Sequence, residues 1–161
     1  MILYTDPLVG LTILYPEDWA YEVEGDEVYF AESKEALKYS DPLDPILGIK
    51  TGSPLEMELQ FGSIANAEDL LNSVLVDLRG EEEAEVGEIE TWAFGDVSGA
   101  GVEVGWTDGR TGTLMRAYVI AAVGEEVAGI GFGTAPQADW SSHEPIFREM
   151  FASLEFFLPA P

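Results

Sequence analysis

The sequence predicts an α+β fold built on a central, mostly antiparallel β-sheet. Most of the chain alternates apolar and polar residues in short segments separated by glycine- and proline-containing turns, which is the pattern of antiparallel strands. Two segments instead repeat their apolar residues at helical spacing, one between two groups of strands and one near the C-terminus. These two helices are the elements available to cover the apolar face of the sheet.

The chain begins with two predicted hairpins. The first joins residues 2–4 to 11–15 around Asp6-Pro7, and Pro16 ends its second strand. The second joins residues 21–24 to 28–31 around Gly25-Asp26, a strong turn dipeptide.

Residues 33–44 are polar and interrupted by proline, which predicts a surface loop with at most one helical turn. Strands are predicted at residues 46–50 and 57–61, on either side of Gly52-Ser53-Pro54. In the second of them Met57, Leu59 and Phe61 alternate with polar or small residues, which places the three on one face.

An amphipathic helix is predicted after Asn66, which is a suitable N-cap. Its apolar stripe consists of Leu70, Leu71, Val74, Leu75 and Leu78. Gly80 is expected to end the helix, and the acidic run at residues 81–85 that follows is expected to be a solvated loop or an acidic sheet edge.

The remainder is predicted to be an antiparallel meander followed by a helix. The strands fall at residues 91–97, 102–106, 113–123 and 127–133, with turns at Ser98-Gly99, Asp108-Gly109 and Gly124. The helix covers residues 142–154, with Ser142 as its N-cap and Pro145 in its first turn. An extended tail follows.

Length and charge restrict the classes of protein that fit. A chain of 161 residues suits one domain. Seven Lys and Arg against 31 Asp and Glu give a net charge of −24, which excludes a nucleic-acid binder that relies on a basic face and disfavours binding to anionic membranes.

No apolar run approaches the ~20 residues of a membrane helix, and the N-terminus lacks the basic region of a signal peptide, so no membrane insertion is expected. Without cysteine there is no disulfide, thiolate nucleophile or zinc knuckle.

His143, the single histidine, is flanked by Ser141, Ser142 and Glu144, which suggests a small hydrolase. A catalytic triad, however, draws its members from separate segments and needs an oxyanion hole. The simpler interpretation is that Ser142 caps the last helix and that His143 lies exposed in its first turn.

The glycine-rich run at residues 129–133 follows a strand and precedes a helix, but it lacks the spacing of a dinucleotide-binding loop. We expect these alternate glycines to flatten one strand face so that a neighbouring element can approach closely. The four tryptophans and six tyrosines could line a stacking groove, but most fall on apolar strand positions, which favours core packing.

Acidic residues at two places could collect a hard cation such as Ca²⁺. The candidate ligands are Glu24, Asp26 and Glu27 in the second hairpin, and Glu82 and Glu83 in the acidic run. Neither group has the spacing of a calcium loop, and a solvated face is the simpler interpretation in so acidic a chain. No catalytic residue and no cofactor other than this calcium is predicted.

Several motifs, in order along the chain, resemble the PsbP-like family, whose fold is shared with a Ran-binding nuclear import factor and with small bacterial lipoproteins. The segment 10–19 ends in Tyr15-Pro16-Glu17-Asp18-Trp19, which is similar to the Tyr-Pro-x-x-Trp that closes the family's opening strand. The aromatic-bearing strand at 116–119, the glycine-rich strand at 127–133 and the helix at 146–154 with its late serine resemble the closing part of the family.

The resemblance implies a single PsbP-like domain over residues 1–161, arranged as an α/β/α sandwich. It also implies accessory or binding roles without catalytic machinery. Photosynthetic members dock on a membrane complex and support calcium and chloride retention, but their basic docking residues have no counterpart here. The bacterial lipoproteins lie outside the cytoplasm and carry an N-terminal cysteine, which this chain lacks.

These observations favour a non-enzymatic accessory or binding domain, outside the cytoplasm, that uses a sheet edge or a loop-lined cleft to hold a protein partner. The negative charge favours a basic partner. The alternative is a structural or regulatory calcium-binding domain that uses the acidic loops. A small hydrolase around His143 is the third hypothesis.

Overall fold

The structure is a computed structural model, and it describes residues 1–39, 44–79 and 84–158. Within these residues the chain forms eleven strands and four helices. In chain order they are β1 (Ile2–Asp6), β2 (Leu11–Tyr15), β3 (Ala20–Glu24), β4 (Glu27–Ala31), α1 (Lys34–Tyr39), β5 (Ile46–Gly52), α2 (Pro54–Phe61), α3 (Ala67–Arg79), β6 (Glu85–Val86), β7 (Glu90–Phe94), β8 (Val97–Thr107), β9 (Leu114–Val123), β10 (Ala128–Pro136), α4 (Gln137–Ser153) and β11 (Glu155–Phe156).

The strands form two antiparallel sheets. The large sheet has the order β3-β4-β5-β10-β9-β8-β6, with β7 also paired to β8, and the small sheet has the order β1-β2-β11. Helices lie on both faces of the large sheet, which confirms the predicted α+β class. We call its two faces the α4 face and the α3 face, after the longest helix on each.

The α4 face is covered by α4 and by the small sheet. Phe147, Met150 and Phe151 of α4 and Leu11 and Ile13 of β2 are fully buried against it. Each such side chain contributes about 1.5–3 kcal/mol to folding through removal of apolar surface from water. This is the larger of the two main cores.

The α3 face is covered only in part. Leu70, Leu71 and Leu75 of α3, together with Met57 of α2, pack over the β8 and β9 end of the sheet. At the opposite end, Ala36 and Leu37 of α1 pack near Ala31 of β4. Between these two helical groups lies the surface of β4, β5 and β10.

The predicted N-cap of α3 is confirmed. The side-chain oxygen of Asn66 accepts a hydrogen bond of 2.9 Å from the main-chain N–H of Asp69, and the Asp69 carboxylate accepts one from Ala65. The two predicted hairpins at the start of the chain are also confirmed by β1–β2 and β3–β4. Gly80 and residues 81–83 lie outside the described residues, whereas Glu85 opens β6 and is exposed.

The strand predicted at residues 57–61 is wrong, because this segment is helix α2. Ser53 caps it by accepting a hydrogen bond of 3.1 Å from the N–H of Glu56, and Pro54 takes the first helical position, where its missing N–H costs nothing. Met57 and Phe61, four residues apart, face the sheet, whereas Leu59 is exposed. The apparent alternation was a coincidence of helical spacing.

Two further boundaries differ from the prediction. Residues 34–39 form α1 rather than loop, because Ser33 accepts a hydrogen bond from the N–H of Ala36 and the helix then buries Ala36 and Leu37. The turn between β7 and β8 lies at Gly95-Asp96, with Gly95 at a φ of 64°, so Ser98 and Gly99 belong to β8.

Helix α4 begins at Gln137, upstream of the predicted start at Ser142. The N-cap position is Pro136, with no side-chain capping bond, and Pro145 lies inside the helix. Ser142 is therefore no cap: its hydroxyl donates to the main-chain carbonyl of Asp139. None of the helices in the described part of the chain is long and apolar enough to cross a bilayer.

Candidate functional site: the open sheet face

Strand β10 directs its small residues to one face of the sheet and its large residues to the other. Gly129, Gly131 and Gly133 lie on the α4 face, where a Cβ on Gly133 would stand 2.5 Å from the ring of Phe147. Ile130 and Phe132 consequently lie on the α3 face. The glycine run therefore has the packing role predicted from the sequence, and the bulk of the strand lies on the side that the helices cover least.

Phe132 is 37% exposed although β10 is a central strand, flanked by β5 and β9. The register places Tyr29 of β4, Gly48 of β5 and Phe132 in one row across three strands. The rings of Tyr29 and Phe132 approach with centroids 6.5 Å apart at 60°. A Cβ on Gly48 would come within 2.8–2.9 Å of both rings. Glycine at position 48 thus allows the two aromatic rings to meet over β5.

A cavity of about 130 Å³ adjoins this aromatic pair. It is lined by Glu27, Tyr29, Ile49, Lys50, Gln60, Ile130 and Phe132. Gln60 reaches it from α2, so the cavity is bounded by the helix on one side and by β4 on the other. We call the surface formed by Tyr29, Gly48, Lys50, Ile130 and Phe132 the open sheet face.

The polar groups of the open sheet face are linked to one another. The Tyr29 hydroxyl donates a hydrogen bond of 2.5 Å to Glu27, and the Lys50 ammonium lies 3.8 Å from the other carboxylate oxygen of Glu27. Burial, followed by this hydrogen bond and the charge of Glu27, raises the pKa of Tyr29 well above its usual value. Tyr29 is therefore a neutral donor held in one orientation, and Lys50 is a cation at the margin of an acidic surface.

The candidate calcium ligands of the second hairpin lie next to this surface. Glu24 and Glu27 are opposite each other across the turn that contains Asp26. Glu27 already bonds Tyr29 and Lys50, and in the described part of the chain no three acidic or histidine side chains converge as a metal site would require. Glu82 and Glu83 lie outside the described residues. Calcium binding by these five residues stays a prediction.

His143 lies in the interior of α4 rather than in its first turn, and its side chain is only 13% exposed. Its Nδ1 stands 2.9 Å from the main-chain carbonyl of Asp139 and 3.2 Å from the Ser142 hydroxyl, and its Nε2 contacts the Glu32 carboxylate. Because a carbonyl and a carboxylate both accept, both ring nitrogens act as donors, as in a protonated imidazole.

The pKa of His143 reflects this geometry. Burial acts to lower it, but the hydrogen bond with Glu32, the hydrogen bond with Asp139 and the charge of Glu32 together raise the pKa of His143 above its usual value. The Ser142 hydroxyl donates to the Asp139 carbonyl, and His143 joins α4 to Glu32, directly after β4, so the arrangement does not resemble a hydrolase pair.

Other polar clusters of the fold serve packing. The Tyr118 hydroxyl accepts from Trp92 Nε1 at 2.8 Å and donates to Glu90 at 3.1 Å, while the Arg148 guanidinium lies 4.3 Å from the Tyr118 ring centroid. Burial, as the main cause, raises the pKa of Tyr118 to about 12. The hydrogen bond from Arg148 holds the pKa of Glu90 below its usual value. This network attaches α4 to the sheet.

Two larger cavities lack an equivalent feature. One, of about 300 Å³, adjoins Arg116, whose guanidinium already pairs with Glu103 at 3.1 Å; Trp140 Nε1 donates to the same carboxylate. The other, of about 650 Å³, lies between the turns at residues 96–98 and 124–127 and the C-terminal segment, and it opens widely to solvent. Neither cavity adjoins a pair of aromatic rings on an uncovered sheet face, as the cavity beside Tyr29 and Phe132 does.

No protein-family model and no curated protein sequence matches the chain, but solved structures do. Cyanobacterial PsbP (CyanoP) from Synechocystis is similar over 97% of this chain and 92% of its own, with a TM-score of 0.61 and 14% identity. PA94, a protein of unknown function from Pseudomonas aeruginosa, is similar over 100% and 98%, with a TM-score of 0.58 and 15% identity.

LpqN from Mycobacterium tuberculosis, which is involved in cell envelope biogenesis, is similar over 91% of this chain and 83% of its own, with a TM-score of 0.60 and 11% identity. A structure from Bacteroides thetaiotaomicron is similar with a TM-score of 0.54 and 15% identity, and this chain spans about half of its length (47%). The chain has a PsbP-like fold. The resemblance seen in the sequence is confirmed at the level of fold.

Sequence reasoning identified the glycine run of β10 but not the open sheet face. Tyr29, Gly48 and Phe132 come from three segments that are far apart in the chain, and only the register of β4, β5 and β10 brings them together. The alternation of glycine with Ile130 and Phe132 was the one available signal. It shows that the large side chains share a face, but not that the helices leave this face partly uncovered.

Proposed function

We propose that this chain is a non-enzymatic binding domain that holds a basic protein partner on the open sheet face. The observation that carries the proposal is Phe132, an exposed aromatic residue on a central strand, paired with Tyr29 over Gly48. Aromatic side chains on an uncovered surface are typical anchors of protein interfaces. Single exposed apolar residues are common on protein surfaces, and what distinguishes Phe132 is its position on a central strand and its pairing with the part-buried ring of Tyr29.

Charge selects the kind of partner. The net charge of −24 produces a negative potential that attracts basic proteins and repels nucleic acid. Tyr29 and Lys50 already engage Glu27 at the margin of the open sheet face, so the attraction of a basic partner comes from the net charge of the whole chain and not from a local ion pair. The aromatic centre fits a partner that presents an apolar side chain.

The similar proteins support an accessory role outside the cytoplasm, since they include a PsbP and a protein involved in cell envelope biogenesis. Neither the calcium hypothesis nor the hydrolase hypothesis gains a comparable observation. The second-hairpin carboxylates do not form a cluster of three, and His143 is engaged by Glu32 and the Asp139 carbonyl.

The test is capture of partners from an extract of the organism that encodes the chain, with wild-type protein, Phe132→Ser and Leu8→Ser immobilised in parallel. Leu8 is 75% exposed in the β1–β2 turn, away from the open sheet face, so its substitution removes at least as much exposed apolar surface as that of Phe132, which is 37% exposed. We expect wild type and Leu8→Ser to capture the same protein and Phe132→Ser to lose it.

The captured protein is then purified and titrated by calorimetry against all three chains. We expect Phe132→Ser to bind at least about tenfold more weakly, as for an interface hot spot, and Leu8→Ser to bind within about twofold of wild type. Circular dichroism first establishes that each variant is folded at the assay temperature. Equal affinity of Phe132→Ser and wild type for every captured protein would remove the open sheet face as the docking site.

A further inference from the structure

Strand β3 is at one end of the large sheet and has a free edge. Within the described residues it pairs only with β4, in the register Ala20↔Ala31 to Glu24↔Glu27. A strand that is paired on one side only presents, on its other side, main-chain N–H and C=O groups with which another extended segment can form hydrogen bonds. β3 is five residues long, which is a typical strand length and enough to accept an added strand.

The side chains of β3 differ sharply between its two faces. Tyr21 and Val23 lie on the α4 face and are 48% and 40% exposed, while Glu22 and Glu24 lie on the α3 face and are exposed. An added strand would therefore meet aliphatic and aromatic surface on one face and two carboxylates on the other.

The edge is held in place by aromatic packing. The Tyr21 ring lies 4.6 Å from that of Tyr4, 5.9 Å from Tyr15 and 6.3 Å from Phe30, measured between centroids. Tyr4 and Tyr15 belong to the β1–β2 hairpin, so two sheets meet at Tyr21. A strand fixed in this way requires little ordering when a second strand pairs with it.

We propose that β3 accepts an extended segment of another protein as an added strand, and that this segment alternates aliphatic residues with Lys or Arg. The aliphatic residues would pack beside Tyr21 and Val23, and the basic residues would lie opposite Glu22 and Glu24. Side chains directly opposite each other on paired strands have Cβ atoms about 4.5–5.5 Å apart, close enough for each ion pair to form.

Charge also argues against a second copy of this chain as the occupant. If two β3 strands paired with each other, Glu22 and Glu24 of one copy would face the same residues of its partner on one side of the joined sheet. Like charges placed opposite each other destabilise strand pairing, and acidic residues on an edge strand are a known means of preventing self-association. The same residues that prevent pairing between copies would attract a basic strand.

This inference goes beyond the proposed function. It uses the main chain of β3 and the side chains of Tyr21, Glu22, Val23 and Glu24, none of which belongs to the open sheet face. Strand addition would hold whether or not the same partner also contacts Phe132, so the two proposals can fail separately.

The test uses two fluorescein-labelled peptides of nine residues. One alternates Lys and Val, and the control has the same lysines with every Val replaced by Pro, which lacks the N–H that a strand ladder needs. Binding is measured by anisotropy at 150 mM NaCl, and amide hydrogen exchange of the protein is followed in both complexes. We expect the Lys-Val peptide to bind at least tenfold more tightly and to slow exchange within residues 20–24.

Matched variants separate local recognition from overall charge. Two double variants change the net charge by the same amount, and all four of their positions are exposed: Glu22→Lys/Glu24→Lys in β3 and Glu125→Lys/Glu126→Lys. We expect the first pair to weaken Lys-Val peptide binding at least tenfold and the second pair, in the β9–β10 turn, to weaken it no more than about twofold. Phe132→Ser should leave peptide binding unchanged.

Equal binding of the two peptides, or equal weakening by the two variant pairs, would show attraction by net charge alone and would overturn strand addition. Protection that falls outside residues 20–24 would overturn it as well. Melting curves of both double variants, recorded beforehand, establish that each is folded. A positive peptide result alongside unchanged partner capture by Phe132→Ser would keep strand addition and reject the open sheet face.

Discussion

Replacing Gly133 with alanine is expected to destabilise the protein because it fills the space through which α4 approaches the sheet. The new Cβ would stand 2.5 Å from Phe147 Cγ and 2.8–2.9 Å from its two Cδ atoms. A normal carbon–carbon contact is about 3.5–4.0 Å, so the ring must retreat by about 1 Å or more. Phe147 is fully buried against Trp19 and Trp140, which leaves it little room to move.

We expect Gly133→Ala to lower the free energy of unfolding by about 1–3 kcal/mol, the usual cost of overpacking a core. In a chain of this length each kcal/mol lowers the melting temperature by about 2–4 °C. The measurement is urea unfolding followed by tryptophan fluorescence, with the slope compared to wild type so that a change in midpoint reports stability.

Gly105→Ala is the matched control, since it makes the same substitution in β8 of the same sheet. A Cβ at position 105 would meet its nearest atoms at 3.6 Å, an ordinary contact. Loss of chain entropy in the unfolded state should then leave this variant neutral or stabilise it by up to about 1 kcal/mol. A Gly133→Ala protein as stable as Gly105→Ala would refute the close-approach explanation of the glycine run.

Three further outcomes are expected. His143→Gln should remove a pH-dependent part of the free energy of unfolding. Because the folded pKa of His143 is raised, its stabilising contribution is complete below the unfolded pKa of about 6.5 and is lost as pH rises through the folded pKa. The urea midpoints of wild type and variant should therefore converge from pH 6 towards alkaline pH. Tyr118→Phe should cost about 1–3 kcal/mol in urea unfolding, because it leaves Trp92 Nε1 without its acceptor while retaining the ring under Arg148; an unchanged midpoint would contradict this. Sodium chloride should raise the melting temperature by screening the charge of −24, and CaCl₂ and MgCl₂ at equal ionic strength should give equal shifts. An additional rise that is selective for calcium would instead favour a calcium site among Glu24, Asp26, Glu27, Glu82 and Glu83.

The strands of this fold could be predicted because their signals are local. Glycine and aspartate mark the turn between β3 and β4, and alternation identifies the residues of β2 that face the core. The same local logic predicted the Asn66 cap of α3 and the glycine run of β10. These features depend on residues that are neighbours in the chain, so one sequence is enough to predict them.

The errors arose where a short segment fits two periods. Met57, Leu59 and Phe61 satisfy an alternation, but Met57 and Phe61 also satisfy helical spacing, and the structure uses the second pattern. Ser53 and Pro54 were the decisive residues, since together they cap and begin a helix. At α4, Ser142 has the chemistry of a cap, yet α4 begins at Gln137 and places Ser142 in its interior, where the hydroxyl bonds the preceding turn.

The open sheet face depends on long-range register and on what the helices leave uncovered. Neither is encoded in a local pattern, because a shift of one residue between β5 and β10 would move Phe132 to the α4 face. The environment of His143 has the same origin: its partner Glu32, directly after β4, is distant in sequence and meets it only through the tertiary fold.

Two explanations of Phe132 predict different outcomes: it is either a by-product of the glycine run or a docking residue. Close approach of α4 requires glycine at alternate positions of β10, but it requires nothing of the residues between them. The fold gains from Phe132 the burial of the covered part of its side chain and its contact with Tyr29, and such an aromatic pair contributes about 0.5–1.5 kcal/mol beyond area burial. If Phe132 serves only the sheet, Phe132→Ser should lose stability and retain every partner. If it anchors a partner, the variant should show the same loss of stability, remain folded at the assay temperature, and fail to capture the partner.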